Sequence, residues 1–145
     1  MKEVTGDLWK SGADIILVPT NLTVTSSGHA VMGAGVARQC KRRYPEVTKV
    51  LGLSISAGLL QPVAIHLDPV IYSFPTKYHY KNGSDKNLIR HCAWKFSTLC
   101  IDGLHRPTVA LPRIGCGLGG LDWETQVKPI LECYFDDNYT VYTLV

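Results

Sequence analysis

The 145-residue sequence is poor in the features that settle a chemistry on their own. Its five cysteines, Cys40, Cys92, Cys100, Cys116 and Cys133, are odd in number and contain no Cys-x-x-Cys pair. They read as structural thiols rather than as a disulfide framework or a zinc site. The histidines, His29, His66, His79, His91 and His105, are scattered. They give neither metal-ligand spacing nor a Ser/His/Asp order, so no metal is expected. No apolar run approaches the roughly 20 residues that span a bilayer, and the stretch from Met1 to Asp7 lacks the marks of a signal peptide. The expectations are no membrane association and a cytoplasmic location. Repeats, low-complexity tracts and linker-like shifts are also missing. Charged residues make up only 19%, and a net charge of +3 is too small to establish a nucleic-acid partner.

What is present is the material of one domain over residues 1–145, long enough for a sizeable core without staples. Asp14 precedes Ile15 to Val18, a continuous apolar run suited to a strand buried on both faces. After a polar loop from Thr23 to Gly35, Val36, Ala37, Cys40 and Tyr44 recur at helical spacing up to Pro45. Val63–Leu67 and Val70–Phe74 predict a hairpin turned at Asp68-Pro69. Ser84 is the expected cap of a helix whose Leu88, Ile89, Cys92, Phe96, Leu99 and Cys100 make one apolar stripe. Thr108 to Leu111 predicts another strand. Asp122 is the expected N-cap of a helix from Trp123 to Phe135, kinked or split at Pro129. Tyr139 to Leu144 closes the chain as a strand. Helices interleaved with buried strands predict a three-layer α/β/α domain, with ligands at the carboxyl ends of the strands.

Two glycine-rich turns stand at such ends. The first is Met32-Gly33-Ala34-Gly35-Val36. The second is Pro112-Arg113-Ile114-Gly115-Cys116-Gly117-Leu118-Gly119-Gly120, followed by Leu121, Asp122 and Trp123. Glycine lets a backbone bend where side chains clash and aim its N–H groups at an anion near a helix start. Each turn alone is weak evidence; together they can grip two phosphates or one diphosphate. Neither ends in the Lys-Ser/Thr of a P-loop or completes G-x-G-x-x-G, which disfavours a nucleoside triphosphatase or a dehydrogenase.

Lys77 follows Phe74-Pro75-Thr76 at a strand end. A lysine among aromatics can be desolvated and nucleophilic, but from the residues alone a surface side chain is the plainer reading. Cys116 sits near a helix start that would lower its pKa; a structural thiol is the plainer reading. Two basic groups, Arg38/Lys41/Arg42/Arg43/Lys49 and Lys77/Lys81/Lys86/Arg90, read as solvated faces or as a nucleic-acid footprint.

These pieces, in this order, resemble the macro domain family. The landmarks are Gly6-Asp7-Leu8, Met32 to Gly35, Phe74 to Lys77, Pro112 to Gly117 and Val141 to Leu144. The resemblance covers essentially the whole chain. It is strongest to the branch holding the terminal ADP-ribose protein glycohydrolase and the antitoxin that reverses ADP-ribosylation of DNA. Gly119-Gly120-Leu121-Asp122-Trp123 is similar to the bacterial and phage members of that branch. The resemblance implies a macro domain with a mixed central sheet and an ADP-ribose ligand, with no further cofactor. It implies that Asp7, with Leu8 beside it, receives the adenine amino group. Gly33, Ala34, Gly35 and Val36 then line the distal ribose and diphosphate, with Asn21 and Met32 also among the ADP-ribose-binding residues. Pro112, Ile114, Gly115, Cys116, Gly117, Leu118 and Gly119 wrap the phosphates. Lys77 falls on the position of the branch's catalytic lysine, near the anomeric carbon of the distal ribose. Two positions depart from the family. The protein glycohydrolase has an acid where this chain has Gly119, and Pro19 stands where an asparagine is usual, with Asn21 as its substitute.

Three functions follow from that resemblance. The first is removal of ADP-ribose from nucleic acid or protein through Lys77. The second is a phosphatase acting on ADP-ribose 1″-phosphate, using His79, Asp122 or a loop group to activate water. The third is a non-catalytic reader of ADP-ribose or a related nucleotide. The expected partners are ADP-ribose or an ADP-ribosylated macromolecule, with a nucleic-acid substrate among them, and the expected state is a monomer.

Overall fold

A six-stranded sheet organises the chain. The computed structural model describes residues 1–99 and 106–144. Its strands are β1 (Lys2–Thr5), β2 (Ile15–Asn21), β3 (Ala64–Leu67), β4 (Val70–Lys77), β5 (Val109–Leu111) and β6 (Tyr139–Thr143). Their spatial order is β1-β6-β5-β2-β4-β3. Every neighbouring pair is parallel except β3 and β4, so one antiparallel strand edges an otherwise parallel sheet. The helices are α1 (Gly35–Arg43), α2 (Val47–Ser56), α3 (Lys86–Ser97) and α4 (Lys128–Glu132).

The run in β2 shows why the sheet is covered on both faces. Successive side chains of a strand point to opposite sides. Ile15 and Leu17 join Leu88, Cys92, Phe96 and Leu131 in a core beneath α3 and α4. Ile16 and Val18 join Cys40, Val47 and Leu51 beneath α1 and α2. An alternating strand would have left one face to water; the continuous apolar run requires two helical layers. The three-layer α/β/α architecture with a mixed sheet is the one expected, and the hairpin, α1 and both later strands stand where the residues place them.

Three details differ, and a fourth stands as expected. Ser84 does not cap α3; Asp85 does, accepting hydrogen bonds from the amides of Asn87 at 2.8 Å and Leu88 at 3.0 Å. A carboxylate has the reach and charge for two amides that a hydroxyl lacks. The α3 stripe is real through Phe96, but Leu99 lies beyond the helix and is exposed, and Cys100 falls outside the described residues. Asp122 does cap the segment at Trp123, and that segment is split. A π-helical turn, Trp123–Val127, precedes α4, with Pro129 in the first turn of α4, where its missing N–H costs no bond. Finally, α2 has no counterpart in the sequence reading. It starts without a side-chain cap, contains Gly52, and buries Thr48 and Gly52 beside Val47 and Leu51, so its apolar periodicity is faint.

Candidate functional site

The parallel strands β2, β4 and β5 run in the same direction, and a cleft of about 770 Å³ opens at their carboxyl side. That volume is within the roughly 300–1,000 Å³ of small-molecule sites. Its opening follows from strand length. Strand β5 pairs with β2 only at Ile15 and Ile16, so β2 runs on from Leu17 with no partner on that side. Pro19, which has no N–H to donate, sits in this unpaired stretch and lines the cleft. A second recess of about 220 Å³ adjoins it, lined by Gly6, Asp7, Leu8, Gln39 and Tyr142 among others. Val36, Pro112 and Arg113 belong to the walls of both.

Nearly all the residues singled out from the sequence come together here. Asn21, Met32, Gly33, Ala34, Gly35, Val36, Lys77, Pro112, Gly115, Cys116, Gly117, Leu118 and Gly119 line the large cleft, and Asp7 and Leu8 line the recess. Ile114 is the exception. It is fully buried in the core beneath α3 and α4, because its neighbours Arg113 and Gly115 turn the loop around it, and it belongs to neither wall.

The glycine turns owe their shape to backbone that only glycine adopts easily. Gly115 has φ +77°, and a β-carbon there would meet Ile89 Cδ1 at 2.8 Å. Gly35, the first residue of α1, has φ +56°. The capping pattern is more telling. Asp7, Asp85 and Asp122 cap the helical segments that follow them with their carboxylates. The two helical starts on the cleft, at Gly35 of α1 and at the 3₁₀ turn Gly117–Gly119, have no side-chain cap, nor do those of α2 and α4. The residues of the Gly35 and Gly117 starts line the cleft, and the first N–H groups of a helical segment have no partner within it and carry the positive end of the peptide dipoles. An anion completes such starts.

This geometry corrects one expectation. The helix start at Trp123 does not serve the second glycine turn, because Asp122 already caps it, accepting from the Thr125 amide at 2.9 Å and hydroxyl at 2.6 Å. Those bonds hold the Asp122 carboxyl below its ordinary pKa. The turn brings its own uncapped start at Gly117 instead. For Cys116 the geometry agrees with the plainer reading of a structural thiol: burial pushes its thiol above the ordinary value, against a smaller lowering by Arg113, and Sγ donates to the Ile114 carbonyl at 3.5 Å.

Lys77 is the last residue of β4 and pairs with Asn21 just past a register shift, where β4 carries Thr76 as an extra residue. Its Nζ donates to the Tyr80 carbonyl at 3.5 Å. The Asn21 side chain is occupied: Nδ2 donates to the Val31 carbonyl and Oδ1 accepts the Thr23 amide, both at 2.9 Å. It braces the loop leading to Met32 and holds it opposite Lys77. Asn21 therefore acts on the cleft through loop shape.

Several wall residues were not singled out. Thr20 is 4% exposed, and its Oγ1 has no hydrogen-bond partner. Ser84 Oγ is likewise buried and unpartnered, and the Ser84 amide donates to the Gly119 carbonyl at 2.9 Å. A β-carbon on Gly119 would lie 2.2 Å from Ser84 Oγ. The loop 78–84 thus closes onto the second glycine turn, and Ser84 occupies the space a side chain at 119 would need. No local signal marks that contact, because the two residues are 35 positions apart. Among the described residues, no group of three or more His, Cys, Asp or Glu could hold a metal ion, and no helix is long and apolar enough to cross a membrane.

No family model matches the chain. It is 30% identical over 138 residues to the DNA ADP-ribosyl glycohydrolase of Mycobacterium tuberculosis (strain ATCC 25618 / H37Rv), covering 90% of this chain and 37% of that protein. The chain thus spans just over a third of the length of such curated relatives. It is 31% identical over 118 residues to the ADP-ribose glycohydrolase OARD1 of Bos taurus, covering 78% of this chain and 74% of that protein. Among solved structures, the macrodomain of Mycobacterium tuberculosis DarG superposes with a TM-score of 0.81 at 28% identity, covering 97% and 95% of the two chains. Thermosipho africanus DarTG in complex with ADP-ribose gives a TM-score of 0.80 at 26% identity, covering 99% of this chain and 41% of that one.

Proposed function

The chain belongs to the macro domain family, and on that premise we propose that it binds ADP-ribose and hydrolyses ADP-ribosyl links on DNA. The diphosphate spans the two uncapped helical starts at Gly35 and Gly117, where backbone N–H groups and helix dipoles offset its charge. The adenine end enters the recess beside Asp7. One oxygen of that carboxylate is engaged by the Trp9 amide at 2.9 Å, which leaves the other for the adenine amino group. The distal ribose then lies at the Lys77 end of the cleft.

The observation that carries the proposal is the presence of Lys77 in the same cleft as both uncapped starts. In the reaction the bond from the anomeric carbon to the modified base breaks. Water supplies hydroxyl to that carbon and a proton to the departing base. Lys77 Nζ acts at this centre, by attacking the carbon or by assisting departure of the base. An acid at position 119 takes no part, since the residue is glycine and Ser84 fills the space beside it. The relatives named for DNA ADP-ribosyl glycohydrolase activity support the choice of DNA over protein.

The test is a panel of ADP-ribosyl thymidine DNA, protein ADP-ribosylated on glutamate, and ADP-ribose 1″-phosphate, each with wild type and Lys77→Ala. Wild type is expected to release ADP-ribose from the DNA. The variant is expected to lose at least about 10²-fold in rate, with calorimetric ADP-ribose binding retained. Absence of binding at millimolar ADP-ribose would remove the ligand assignment. Binding without turnover of any substrate would make the protein a reader.

A further inference from the structure

The second basic group seen in the sequence has a distribution that ADP-ribose binding does not use. Residues 77–97 contain five cations, Lys77, Lys81, Lys86, Arg90 and Lys95, against one carboxylate, Asp85. The ten cations elsewhere in the chain are outnumbered by eleven carboxylates, so the entire positive excess lies in this stretch. Asp85 is spent on the two amides it caps. Among the described residues, none of the five cations has a carboxylate within 4.0 Å, whereas Arg106, Arg113 and Lys128 all do.

Aromatic exposure is concentrated in the same place. Among the described residues, the strongly exposed Tyr, Trp and Phe side chains are Tyr78 at 51%, Tyr80 at 44% and Trp94 at 47%. His79 stacks on Tyr80 with centroids 4.6 Å apart, and Lys81 Nζ lies 5.7 Å from the Tyr80 ring centre. Further along, Lys95 Nζ lies 5.5 Å from the Trp94 ring and His91 6.0 Å from it. Lys86, Arg90 and Trp94 are four residues apart and share the outer face of α3, whose inner face is buried through Leu88, Ile89, Cys92 and Phe96. At 1.5 Å per residue, Lys86 to Trp94 covers about 12 Å. This strip begins at the cleft mouth beside Lys77. The other basic group does not reach it: Lys41, Arg42 and Arg43 occupy the last turn of α1, whose first turn opens on the cleft, and Arg43 lies over the Trp9 ring at 5.0 Å.

We propose that this strip, from Tyr78 and Lys81 along Lys86, Arg90 and Trp94, is a track for single-stranded DNA flanking the modified nucleotide, an inference that rests on the DNA reading above. Cations interleaved with exposed aromatic faces suit a strand whose phosphates and unpaired bases are both available. A base whose link is to be cleaved in the cleft must also be out of its stack, which favours a single strand over a duplex. The strip names a partner by its chemistry and leaves ADP-ribose recognition to the cleft.

The test uses a fluorescein-labelled unmodified oligonucleotide, followed by anisotropy, and two variants, Lys86→Ala/Arg90→Ala and Trp94→Ala. All three side chains are exposed and outside the cleft, so melting temperatures should stay at the wild-type value. Wild type is expected to bind the single strand with an affinity that falls as salt rises. The double variant should flatten the log–log salt slope by about 1.4, at about 0.7 per phosphate contact. Trp94→Ala should weaken binding by about 5- to 150-fold, the equivalent of about 1–3 kcal/mol for one stacked base. On substrates, both variants should raise KM for an ADP-ribosylated oligonucleotide and leave turnover of ADP-ribosyl thymidine nucleoside unchanged. Wild-type affinity and slope in both variants would overturn the track, as would equal binding of duplex and single strand. If wild type cleaves neither substrate, the hydrolase reading fails, and the anisotropy result still decides the track.

Discussion

Gly52→Ala separates helix propensity from packing, and the two oppose each other. Within α2 the substitution gains about 0.8–1.0 kcal/mol by propensity. From helix composition alone it would stabilise the protein. In the folded chain a β-carbon at 52 would fall 2.0 Å from the Gly28 carbonyl oxygen and 3.1 Å from the Ala30 amide nitrogen. Both are backbone atoms, so no rotamer change relieves the contact. The Ala30 amide is also bonded to the Thr48 carbonyl at 2.8 Å, one turn earlier on the same helix, and the loop cannot retreat without losing that bond. Overpacking costs about 1–3 kcal/mol, and the strained hydrogen bond adds about 1 kcal/mol. Less the propensity gain, the net loss is about 1–3 kcal/mol. At this length 1 kcal/mol moves Tm by roughly 3–4 °C, so scanning calorimetry should find Tm lower by about 3–12 °C. Because residues 28–30 lead into Met32 and Gly33 of the cleft wall, titration with ADP-ribose should show weaker binding as well. A variant with Tm raised and binding unchanged would refute the reasoning, since propensity would then have decided the outcome.

Two further predictions test other contacts. Gly119→Ala should destabilise by about 1–3 kcal/mol, because its β-carbon meets Ser84 Oγ at 2.2 Å and Ser84 Cβ at 3.2 Å. Adding Ser84→Gly should recover most of the loss, and a double-mutant cycle with no coupling would show that the two loops do not press on each other. Glu3 sits below its ordinary pKa of 4.5, chiefly through the hydrogen bond from Lys128, then that from Trp123. A depressed carboxylate contributes stability that is fully present above 4.5 and is lost as pH falls through its folded value. Glu3→Gln should therefore melt lower than wild type near pH 7, with the gap closing below about pH 4; a gap constant across that range would detach Glu3 from the pH dependence.

How much of this was legible depends on how far each signal reaches along the chain. The Ile15–Val18 run announces a doubly covered strand, since alternation sends consecutive residues to opposite faces. Asp122 immediately before the helical segment at Trp123 announces a cap. The glycine turns could be read as phosphate sites because their freedom of φ is a property of the residue itself. In contrast, α2 stayed hidden because its buried face includes Thr48 and Gly52, which carry no apolar contrast. The cap of α3 was assigned one residue early because Ser84 and Asp85 are both good caps, and only the folded chain shows Ser84 committed to Gly119.

The sequence by itself determined the layering, the two anion-ready turns and the presence of a lysine at a strand end, all consequences of side-chain period and backbone preference within a few residues. Only the tertiary structure decided which of these surfaces meet. Strand order set Lys77 in register with Asn21 and opened the cleft where β5 ends short of β2. The turn of the second loop sent Ile114 into the core and away from the ligand wall. The contact of Gly52 with Gly28, like that of Gly119 with Ser84, joins segments 24 and 35 residues apart. Such pairings are fixed by how helices cross over the sheet, and that is a property of the whole packed chain.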